Sequence, residues 1–305
     1  MERIVDISTD GLHLAAHRGF LTVSASGEEK GRVALDDVGA LIVHAHGTTW
    51  SNALMVRLSE RAVPVVVCGS NHAPVACMWP LEGHHAQAAR MRAQIAAPRP
   101  LMKQAWRQIV VGKIRMQGEV LAFAGREGGA FDMLARKVRS GDPGNVEAQA
   151  ARRYWKALFG PGFSRDREAD GVNALLNYGY AVLRAIVSRA VCASGLHPTL
   201  GIFHSNRGNA FALADDLMEP FRPVADLLVL GLVEAGHAAV APEAKRELAR
   251  LPATDLAMPD GTVSPLGIAV QKLAQSLAEG YETRAARLVL PLRPAAAPPV
   301  AEDGP

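Results

Sequence analysis

The first 80 residues show the short apolar runs and polar–apolar alternation that are typical of β-strands. The predicted strands are 3–7, 12–15, 19–24, 32–35, 40–44, 65–68 and 74–78, with a glycine-bounded turn at 27–31. Residues 51–61 instead have helical spacing, because Leu54, Met55 and Leu58 fall on one face and Ser51 is a suitable N-cap. The pattern predicts a small β-rich domain over residues 1–82.

The pattern becomes helical from residue 83 onward, where Ala, Leu, Met, Arg and Gln dominate. The predicted helices are 91–97, 101–112, 118–124, 131–138, 146–158, 171–192, 210–217, 224–235, 242–251 and 265–285. A cluster of turn-forming residues interrupts them at 140–145. The Pro- and Ala-rich residues 291–305 have no pattern and are predicted to be a disordered tail. The predicted fold class is therefore α+β, with the β-rich domain followed by a larger all-α domain over 83–290.

Composition adds a cellular context to this outline. The chain has 305 residues, of which 49% are hydrophobic, and its three cysteines include no Cys-x-x-Cys pair, so reduced thiols in a cytosolic protein are expected. The N-terminus lacks the apolar run of a signal peptide. The longest apolar stretch, 224–240, contains Asp226, Glu234 and His237, which favours a buried helix over a membrane span. We expect a cytoplasmic protein with no membrane association.

Charge is distributed unevenly along the chain. Residues 85–223 carry 20 Lys and Arg against 11 Asp and Glu, whereas the flanking segments carry 13 against 19. A basic middle within an acidic frame is typical of a surface that binds phosphates. Solvated Arg-rich helix faces would give the same count, so charge alone leaves nucleic-acid binding and this alternative equally open.

Two segments of the helical region each contribute one residue that can bind a metal. Glu147 follows the helix-start signal 142–146, where a first-turn glutamate more often stabilises the helix dipole. His204 lies in the irregular segment 195–209, which is rich in Gly, Pro and Asn; loops of this kind often hold functional residues. The alternative for His204 is a half-buried histidine bonded to a backbone carbonyl.

A third segment, 214–223, contributes two carboxylates. Asp216 and Glu219 are three residues apart, which places both on one face of a helix that Pro220 should end. Their repulsion needs a metal ion or a basic neighbour such as Arg222, so a salt-bridged helix end is an equal alternative. Together the three segments offer oxygen ligands and one imidazole, a set that favours Mg²⁺ or Mn²⁺ without excluding zinc.

The sequences of four segments, and their order along the chain, resemble those of a known family. DPGNVEAQAARRYWKALFG (142–160), NALLNYGYAVLRAIVSRAV (173–191), LHPTLGIFH (196–204) and DLMEPFRP (216–223) are similar to the CRISPR-associated endonuclease/integrase that inserts new spacers, in particular to its type II subfamily. The resemblance extends over nearly the whole chain apart from the Pro- and Ala-rich tail.

This resemblance implies a metal-dependent DNA integrase in which Glu147, His204 and Glu219 are the catalytic metal ligands. It implies Asp216 as an auxiliary carboxylate, and Asn206 and Asn209 as the polar positions that follow the histidine. The reaction would join the 3′-hydroxyl of a short donor duplex to a phosphodiester at the edge of a CRISPR repeat. The candidate DNA-binding residues are Arg152, Arg153, Asn206, Asn209 and Arg222. The arginines would neutralise phosphates, and each of them is equally suited to a structural ion pair.

The resemblance also implies partners. These are double-stranded DNA, a second copy of the chain bound through the β-rich domain, and a small companion adaptation protein whose dimer two such homodimers flank in a heterohexamer. Two alternatives remain open, namely a metal-dependent nuclease that does not integrate, and a non-catalytic DNA-binding scaffold whose carboxylates only stabilise helix ends.

Overall fold

Two small β-sheets and one helix form the N-terminal part of the chain. The structure is a computed structural model that describes residues 3–69, 74–78, 84–204, 206 and 208–295. The strands are β1 (Arg3–Ile7), β2 (Leu12–His17), β3 (Phe20–Ala25), β4 (Glu28–Ala34), β5 (Val38–Val43), β6 (Thr49–Trp50), β7 (Val65–Cys68) and β8 (Pro74–Met78), and helix α1 is Asn52–Glu60. The side chain of Ser51 accepts a hydrogen bond from the Leu54 amide at 3.3 Å, which confirms the predicted N-cap.

Strand β5 lies in the interior of the first of the two sheets. The first sheet has the order β1–β5–β7–β8, with β1, β5 and β7 parallel and β8 antiparallel; the second has the order β4–β3–β2–β6. All six residues of β5 are buried, as expected for a strand that is covered on both faces. Leu41 and Val43 pack into the core of the β-rich part, whereas Ala40 and Ile42 pack with Ala185 of the helical part. The alternating faces of β5 therefore join the two parts of the molecule.

The helical part is larger and has its own core. Its helices are α2 (Gln87–Ile95), α3 (Arg99–Phe123), α4 (Ala130–Arg136), α5 (Val146–Phe159), α6 (Val172–Ala193), α7 (Ala212–Met218), α8 (Arg222–Glu234), α9 (Pro242–Leu248) and α10 (Leu266–Thr283). Trp106, Tyr154 and Phe221 are among its largest fully buried side chains. The predicted α+β class, a β-rich domain followed by a mainly helical one, is confirmed, although the predicted boundary at 82/83 lies outside the described residues.

Helix α3 corrects one sequence expectation. We predicted two helices, 101–112 and 118–124, but residues 99–123 form one continuous helix. A Cβ on Gly112 would lie 3.2 Å from Leu290 Cδ1, and one on Gly118 would lie 2.9 Å from Phe131 Cβ. The two glycines therefore allow close packing against the helix and do not break it.

A third, small sheet corrects the expectation of an all-α second domain. Strands β9 (Asp255–Ala257) and β10 (Val263–Pro265) are antiparallel, and β11 (Arg293–Pro294) pairs with the other edge of β9. The ordered chain thus extends into the predicted tail, because backbone hydrogen bonds from Leu292 to Ala257 and from Ala295 to Asp255 hold it. The rest of that predicted tail, 296–305, lies outside the described residues.

The cysteines and the longest apolar stretch can now be placed in the structure. The cysteines Cys68, Cys77 and Cys192 are all free thiols. The apolar stretch 224–240 contains helix α8 and the turn after it. Over the residues that the structure describes, no helix combines the length and the apolar character that crossing a membrane requires.

Candidate functional site

Two of the predicted metal ligands converge on one lysine. Lys113 Nζ lies 2.6 Å from Glu147 Oε1 and 2.5 Å from Glu219 Oε2. Lys113 is in the middle of α3, Glu147 is in the first turn of α5, and Glu219 directly follows α7. The packing of three helices therefore brings together groups that are far apart in the sequence. The side chain of Glu219 is only 5% exposed, so its charge depends on these partners.

A second cation completes this group. Arg222 Nε lies 3.1 Å from Glu219 Oε1, and the Arg222 guanidinium lies 4.8 Å from the centroid of the Tyr180 ring. We call Lys113, Glu147, Glu219 and Arg222 the ion-pair cluster. Glu219 therefore has the ion pairs that a salt-bridged helix end would have, and Glu147 also has a cationic partner in addition to its place at a helix N-terminus.

In this cluster, burial and the neighbouring charges shift the pKa values of Lys113 and Glu219 in opposite directions, and the effect of the charges is the larger one. Burial by itself lowers the pKa of Lys113, but the carboxylates of Glu219 and Glu147 reverse the effect, so the pKa of Lys113 is raised. Burial likewise raises the pKa of Glu219, but the cations of Arg222 and Lys113 more than offset it, and the net pKa of Glu219 is lowered. Lys113 and Glu219 are consequently both charged at neutral pH.

The backbone around Glu147 is fixed by a carboxylate just before the helix. Asp142 Oδ1 accepts from the Val146 amide and Asp142 Oδ2 accepts from the Glu147 amide, both at 3.0 Å. Asn145, the residue that precedes α5, makes no side-chain cap. The predicted helix start is present, and Asp142 supplies the capping acceptor.

The predicted metal ligand His204 lies in a loop that folds around a buried carboxylate. Asp216, whose side chain is 0% exposed, accepts from the amides of Ile202 and Phe203 at 2.5 and 2.9 Å. Its Oδ1 lies 2.6 Å from His204 Nδ1 and 3.3 Å from the His204 amide. We call residues 201–204, with Asp216 beneath them, the histidine loop. Asp216 therefore orients the imidazole, as carboxylates beneath metal-binding histidines do.

Two aromatic rings and one amide also hold the histidine loop. The Phe203 ring stacks on buried Trp106 of α3 with a centroid distance of 4.3 Å and an interplanar angle of 2°. Gln94 Nε2 donates to the carbonyls of His197 and Leu200 at 3.0 Å, and its Oε1 accepts from the His197 amide. These contacts attach the segment before His204 to α2 and α3.

The histidine loop and the ion-pair cluster interact electrostatically. The hydrogen bond that Asp216 accepts from the His204 imidazole raises the pKa of His204 above its ordinary value, burial opposes this rise, and the charges of Asp216, Glu219 and Asp215 add to it. The charge of His204 in turn contributes to the lowered pKa of Glu219, to which Arg222 and Lys113 contribute more. Glu147 and Glu219 share Lys113, and His204 acts on Glu219, so the three residues belong to one region. Asp216 and Glu219 have different partners, since Asp216 bonds to the histidine loop and Glu219 to Lys113 and Arg222.

A cavity of about 620 Å³ opens beside the ion-pair cluster. Its lining includes six cationic side chains, Lys113, Arg165, Arg167, Arg184, Arg222 and Lys245, and three acidic ones, Glu168, Asp170 and Asp226. Burial raises the pKa of Asp226 to about 7, so one of these acids carries only part of its charge at neutral pH. The cavity therefore has a surplus of positive charge and suits an anionic group such as a phosphate.

Of the candidate DNA-binding residues, Arg222 lines the cavity and the other four do not. Arg152 and Arg153 are exposed on α5 and do not line the cavity. Asn206 accepts from the Gly208 amide, and Asn209 donates to Asp215 at 2.8 Å and accepts from the Phe211 amide. The two asparagines therefore stabilise the chain between His204 and α7.

The chemistry of the donors can be compared with what a divalent cation needs. Among the described residues, no three His, Cys, Asp or Glu side chains stand in an arrangement that could hold a metal ion. Glu219 Oε2 is nevertheless buried without a hydrogen bond of good geometry, which leaves acceptor capacity at that atom. Two carboxylates and an imidazole match the preferences of Mg²⁺ or Mn²⁺, so the donor types fit the group, with the Lys113 ammonium lying against both carboxylates.

Sequence reasoning missed Lys113. Trp106, Ile109, Val110, Met116 and Val120 form the buried stripe of α3, and Lys113 lies on the same stripe at helical spacing. A single lysine on an otherwise apolar helix face requires a buried anionic partner. That signal was present, but the predicted break between residues 112 and 118 concealed it.

The chain is similar in sequence to known proteins of one family. A family model described as CRISPR associated protein Cas1 matches residues 5–241. A CRISPR-associated endonuclease Cas1 from Neisseria meningitidis serogroup C is 37% identical over 287 residues, which cover 92% of this chain and 93% of that relative. A CRISPR-associated endonuclease Cas1 from Thermus thermophilus is 35% identical over 66% of this chain and 68% of its own length.

Solved structures share the fold. A casposase bound to its integration product is similar with a TM-score of 0.77 and 20% identity, covering 95% of this chain and 93% of that one. A Cas1 protein from Thermotoga maritima gives a TM-score of 0.72 and 16% identity, covering 92% of this chain and 97% of that one. At these identities the likeness supports the fold, namely a β-sheet domain followed by a mainly helical one.

Proposed function

Because the chain belongs to the Cas1 family of CRISPR-associated proteins, we propose that it is a metal-dependent DNA integrase. In this proposal it inserts short DNA fragments into a CRISPR array by attack of a 3′-hydroxyl on a repeat phosphodiester. The observation that carries the proposal is the convergence of Glu147 and Glu219 beside the loop of His204. Two acids and an imidazole from separate segments are the donors that such a reaction requires.

The proposed chemistry is transesterification, in which the donor 3′ oxygen loses its proton and bonds to the repeat phosphorus while the bond from that phosphorus to the repeat's own 3′ oxygen breaks. The oxygen that leaves takes up a proton and becomes a new 3′-hydroxyl. A bound Mg²⁺ or Mn²⁺ would help the 3′-hydroxyl to lose its proton and would neutralise charge on the phosphodiester oxygens. Glu147, Glu219 and His204 Nε2 would hold the ion. Asp216 keeps the proton of neutral His204 on Nδ1, which leaves Nε2 with its lone pair. With water in place of the hydroxyl, the same residues would support endonuclease activity.

The surplus of positive charge in the cavity supports DNA as the substrate. Arg165 and Arg167 lie on the segment after α5, and Arg184 lies on α6. Burial lowers the pKa of Arg165, and the nearby guanidiniums of Arg222 and Arg167 act in the same direction. Cations that repel one another in this way would be relieved by a phosphate. We therefore place the strand that carries the reacting hydroxyl in this cavity.

Partners extend the proposal. Solved structures with the same fold include a TtCas1–DNA complex and a Cas6-RT-Cas1–Cas2 complex. For this chain we propose a homodimer through the β-rich domain, with a small companion adaptation protein between two such dimers. The position of β8 at the edge of the first sheet supports this interface, since an edge strand can pair with a strand of another chain.

The test is Mn²⁺-dependent strand joining between a donor with a free 3′-hydroxyl and a repeat duplex. Glu147→Gln, Glu219→Gln and His204→Ala are each expected to lower the joining rate by about 100-fold or more, since each removes a ligand. Glu243→Gln on the exposed face of α9 is the matched control and should join normally. Circular dichroism well below the unfolding temperature checks that each variant is folded. Full joining by folded Glu219→Gln would rule out the assignment.

One observation favours a second candidate, the non-catalytic scaffold. Glu147 and Glu219 already have cationic partners, so both carboxylates have a structural explanation without a metal. A scaffold needs no divalent ion, so DNA binding that survives EDTA, together with no joining or cleavage when Mn²⁺ is added, would favour it. A plain nuclease is distinguished by blocking the donor 3′-hydroxyl, which stops integration but leaves hydrolysis intact.

A further inference from the structure

Lys113 occupies the position where the two carboxylates of the proposed metal site meet. Its ammonium is within 2.6 Å of an oxygen of Glu147 and of an oxygen of Glu219. Its side chain is only 12% exposed, and it projects from the centre of α3, where neighbouring residues fix the backbone. A lysine ammonium is a compact point charge on a flexible stem, so it can serve as a removable cation.

We propose that Lys113 is a built-in counter-ion that holds Glu147 and Glu219 together in the metal-free protein and that is displaced when a divalent cation binds. It is a positioning residue and a competitor for the metal at the same time. This inference rests on the proposed function, because it requires Glu147 and Glu219 to be metal ligands.

The electrostatic argument has two sides. Without Lys113 the two carboxylates would repel each other across a site in which Glu219 is buried and only Arg222 remains to balance them, and uncompensated charge in a buried site is strongly unfavourable. With Lys113 in place the two cations and two carboxylates of the ion-pair cluster sum to zero, whereas without it the cluster carries one net negative charge. An incoming divalent cation therefore meets a weaker attraction when Lys113 is present. Lys113 therefore stabilises the apo form and weakens metal binding at once.

The displaced ammonium also has a place to go. Lys113 lines the cavity beside the cluster together with Arg165 and Arg184, so a change of side-chain rotamer can move its charge toward bound phosphate. Arg222 differs from Lys113, because its guanidinium lies over the Tyr180 ring and contacts Glu219 through the other oxygen. Arg222 can stay while Lys113 leaves.

The first experiment measures Mn²⁺ affinity by electron paramagnetic resonance of the free ion, on full-length wild type, Lys113→Met and Lys103→Met. Lys103 is an exposed lysine of the same helix, so its substitution controls for the loss of one charge. Lys113→Met should bind Mn²⁺ about tenfold more tightly than wild type, since the cluster then carries a net negative charge that attracts the ion more strongly. Lys103→Met should match wild type. Equal or weaker binding by folded Lys113→Met would overturn the proposal.

Thermal unfolding of the same proteins separates this role from a purely structural one. In EDTA, Lys113→Met should unfold several degrees below wild type, and saturating Mn²⁺ should recover most of that loss. A lysine that served only to join helices would give the same loss with and without Mn²⁺. A variant that folds only when Mn²⁺ is present would also support the proposal, since the ion then replaces the ammonium.

A second experiment uses the wild-type protein alone and so does not depend on how the variant folds. Brief acetylation followed by mass spectrometry reports how accessible each lysine amine is. Acetylation of Lys113 should be slow in EDTA and several-fold faster with saturating Mg²⁺, while Lys103 reacts at one rate in both. Unchanged Lys113 reactivity under saturating Mg²⁺ would contradict displacement.

The two proposals fail in different ways. If neither wild type nor Lys113→Met binds Mn²⁺, the metal site itself is wrong and the proposed function falls with it. If both bind the ion with the same affinity and Lys113 stays protected, the metal site stands and only the role of Lys113 is wrong.

Discussion

The two halves of the candidate site are built on different principles. In the ion-pair cluster, three helices each contribute a charged side chain, and charges of opposite sign hold the arrangement together. In the histidine loop, a segment without regular structure is held by one carboxylate that accepts from three backbone amides and the imidazole. The cluster therefore depends on charge balance between helices, whereas the loop depends on a single buried acceptor.

This difference has a consequence for substitution. Removing one charge from the ion-pair cluster leaves other ions that can rearrange, because Glu219 has two cationic partners. Removing the acceptor beneath the histidine loop leaves three amides and an imidazole without their partner. The loop should therefore be the more fragile half, even though His204 itself is 43% exposed.

The largest expected effect is that of Asp216→Asn. The uncharged amide cannot replace a carboxylate that accepts from three amides and from His204, so we expect a loss of about 3–5 kcal/mol in the free energy of unfolding, as for a broken buried pair. Denaturant unfolding in EDTA measures it. Asp215→Asn is the matched control, because Asp215 pairs with Arg184 at 2.7 Å nearer the surface, and it should cost clearly less. Equal losses for the two variants would contradict the comparison.

The same variant has a pH signature. The pKa of His204 is raised in the folded protein, so the protonated imidazole contributes stability that is complete below the unfolded pKa of about 6.5 and is lost as pH rises through the folded value. Asp216→Asn removes the main cause of that rise. The stability difference between wild type and Asp216→Asn should therefore shrink from pH 6 to pH 9.

The second prediction concerns Asp226, which lies beside the ion-pair cluster. Its hydroxyl partner Tyr180 donates at 2.6 Å, and burial raises its pKa from 3.8 to about 7. The group favours folding below its unfolded pKa, and that stability is lost as pH rises through about 7. Asp226→Asn should thus gain on the order of 2–4 kcal/mol relative to wild type between pH 4 and pH 8. The exposed Asp132→Asn should show no such trend.

The sequence predicts some residues of the candidate site and not others. Glu147, His204 and Glu219 were identified through the resemblance of their local segments, and the structure brings Glu147 and Glu219 to one lysine. Lys113 is not among the predicted site residues, and it lies between the predicted helices 101–112 and 118–124, whereas residues 99–123 form one helix in which Gly112 and Gly118 accommodate Leu290 and Phe131. Local patterns report helix starts and loops, but a partner 34 residues away is specified only by packing.

Asp216 and the C-terminal strand illustrate the same limit. The spacing of Asp216 and Glu219 predicted one shared face, yet Asp216 bonds to the histidine loop and Glu219 to the ion-pair cluster. Arg293–Pro294 had the composition of a tail, yet pairing with β9 orders it. In both cases a long-range backbone partner decided the outcome, and such partners leave no periodic signal.

The third prediction tests how tightly the histidine loop is wrapped. A Cβ on Gly201 would lie 2.3 Å from the carbonyl oxygen of His204 and 3.0 Å from Asp216 Oδ2, so Gly201→Ala must displace the loop. We expect a loss of about 1–3 kcal/mol in the free energy of unfolding, together with reduced strand joining. Gly208→Ala is the control in the same segment, because its nearest contact would be Asn206 Oδ1 at 3.7 Å. A normal unfolding midpoint in Gly201→Ala would mean that the loop tolerates rearrangement.

The smallest expected effect on stability is that of His204→Ala. The imidazole is partly exposed and ends the loop, while Asp216 keeps its bonds to the Ile202 and Phe203 amides when the ring is removed. The free energy of unfolding in EDTA should fall by less than about 1 kcal/mol, as for a partly exposed pair, although strand joining should be lost. Measuring both quantities on one preparation separates the two functions of the loop. A stability loss as large as that of Asp216→Asn would mean that the imidazole, and not the carboxylate beneath it, holds this half of the site together.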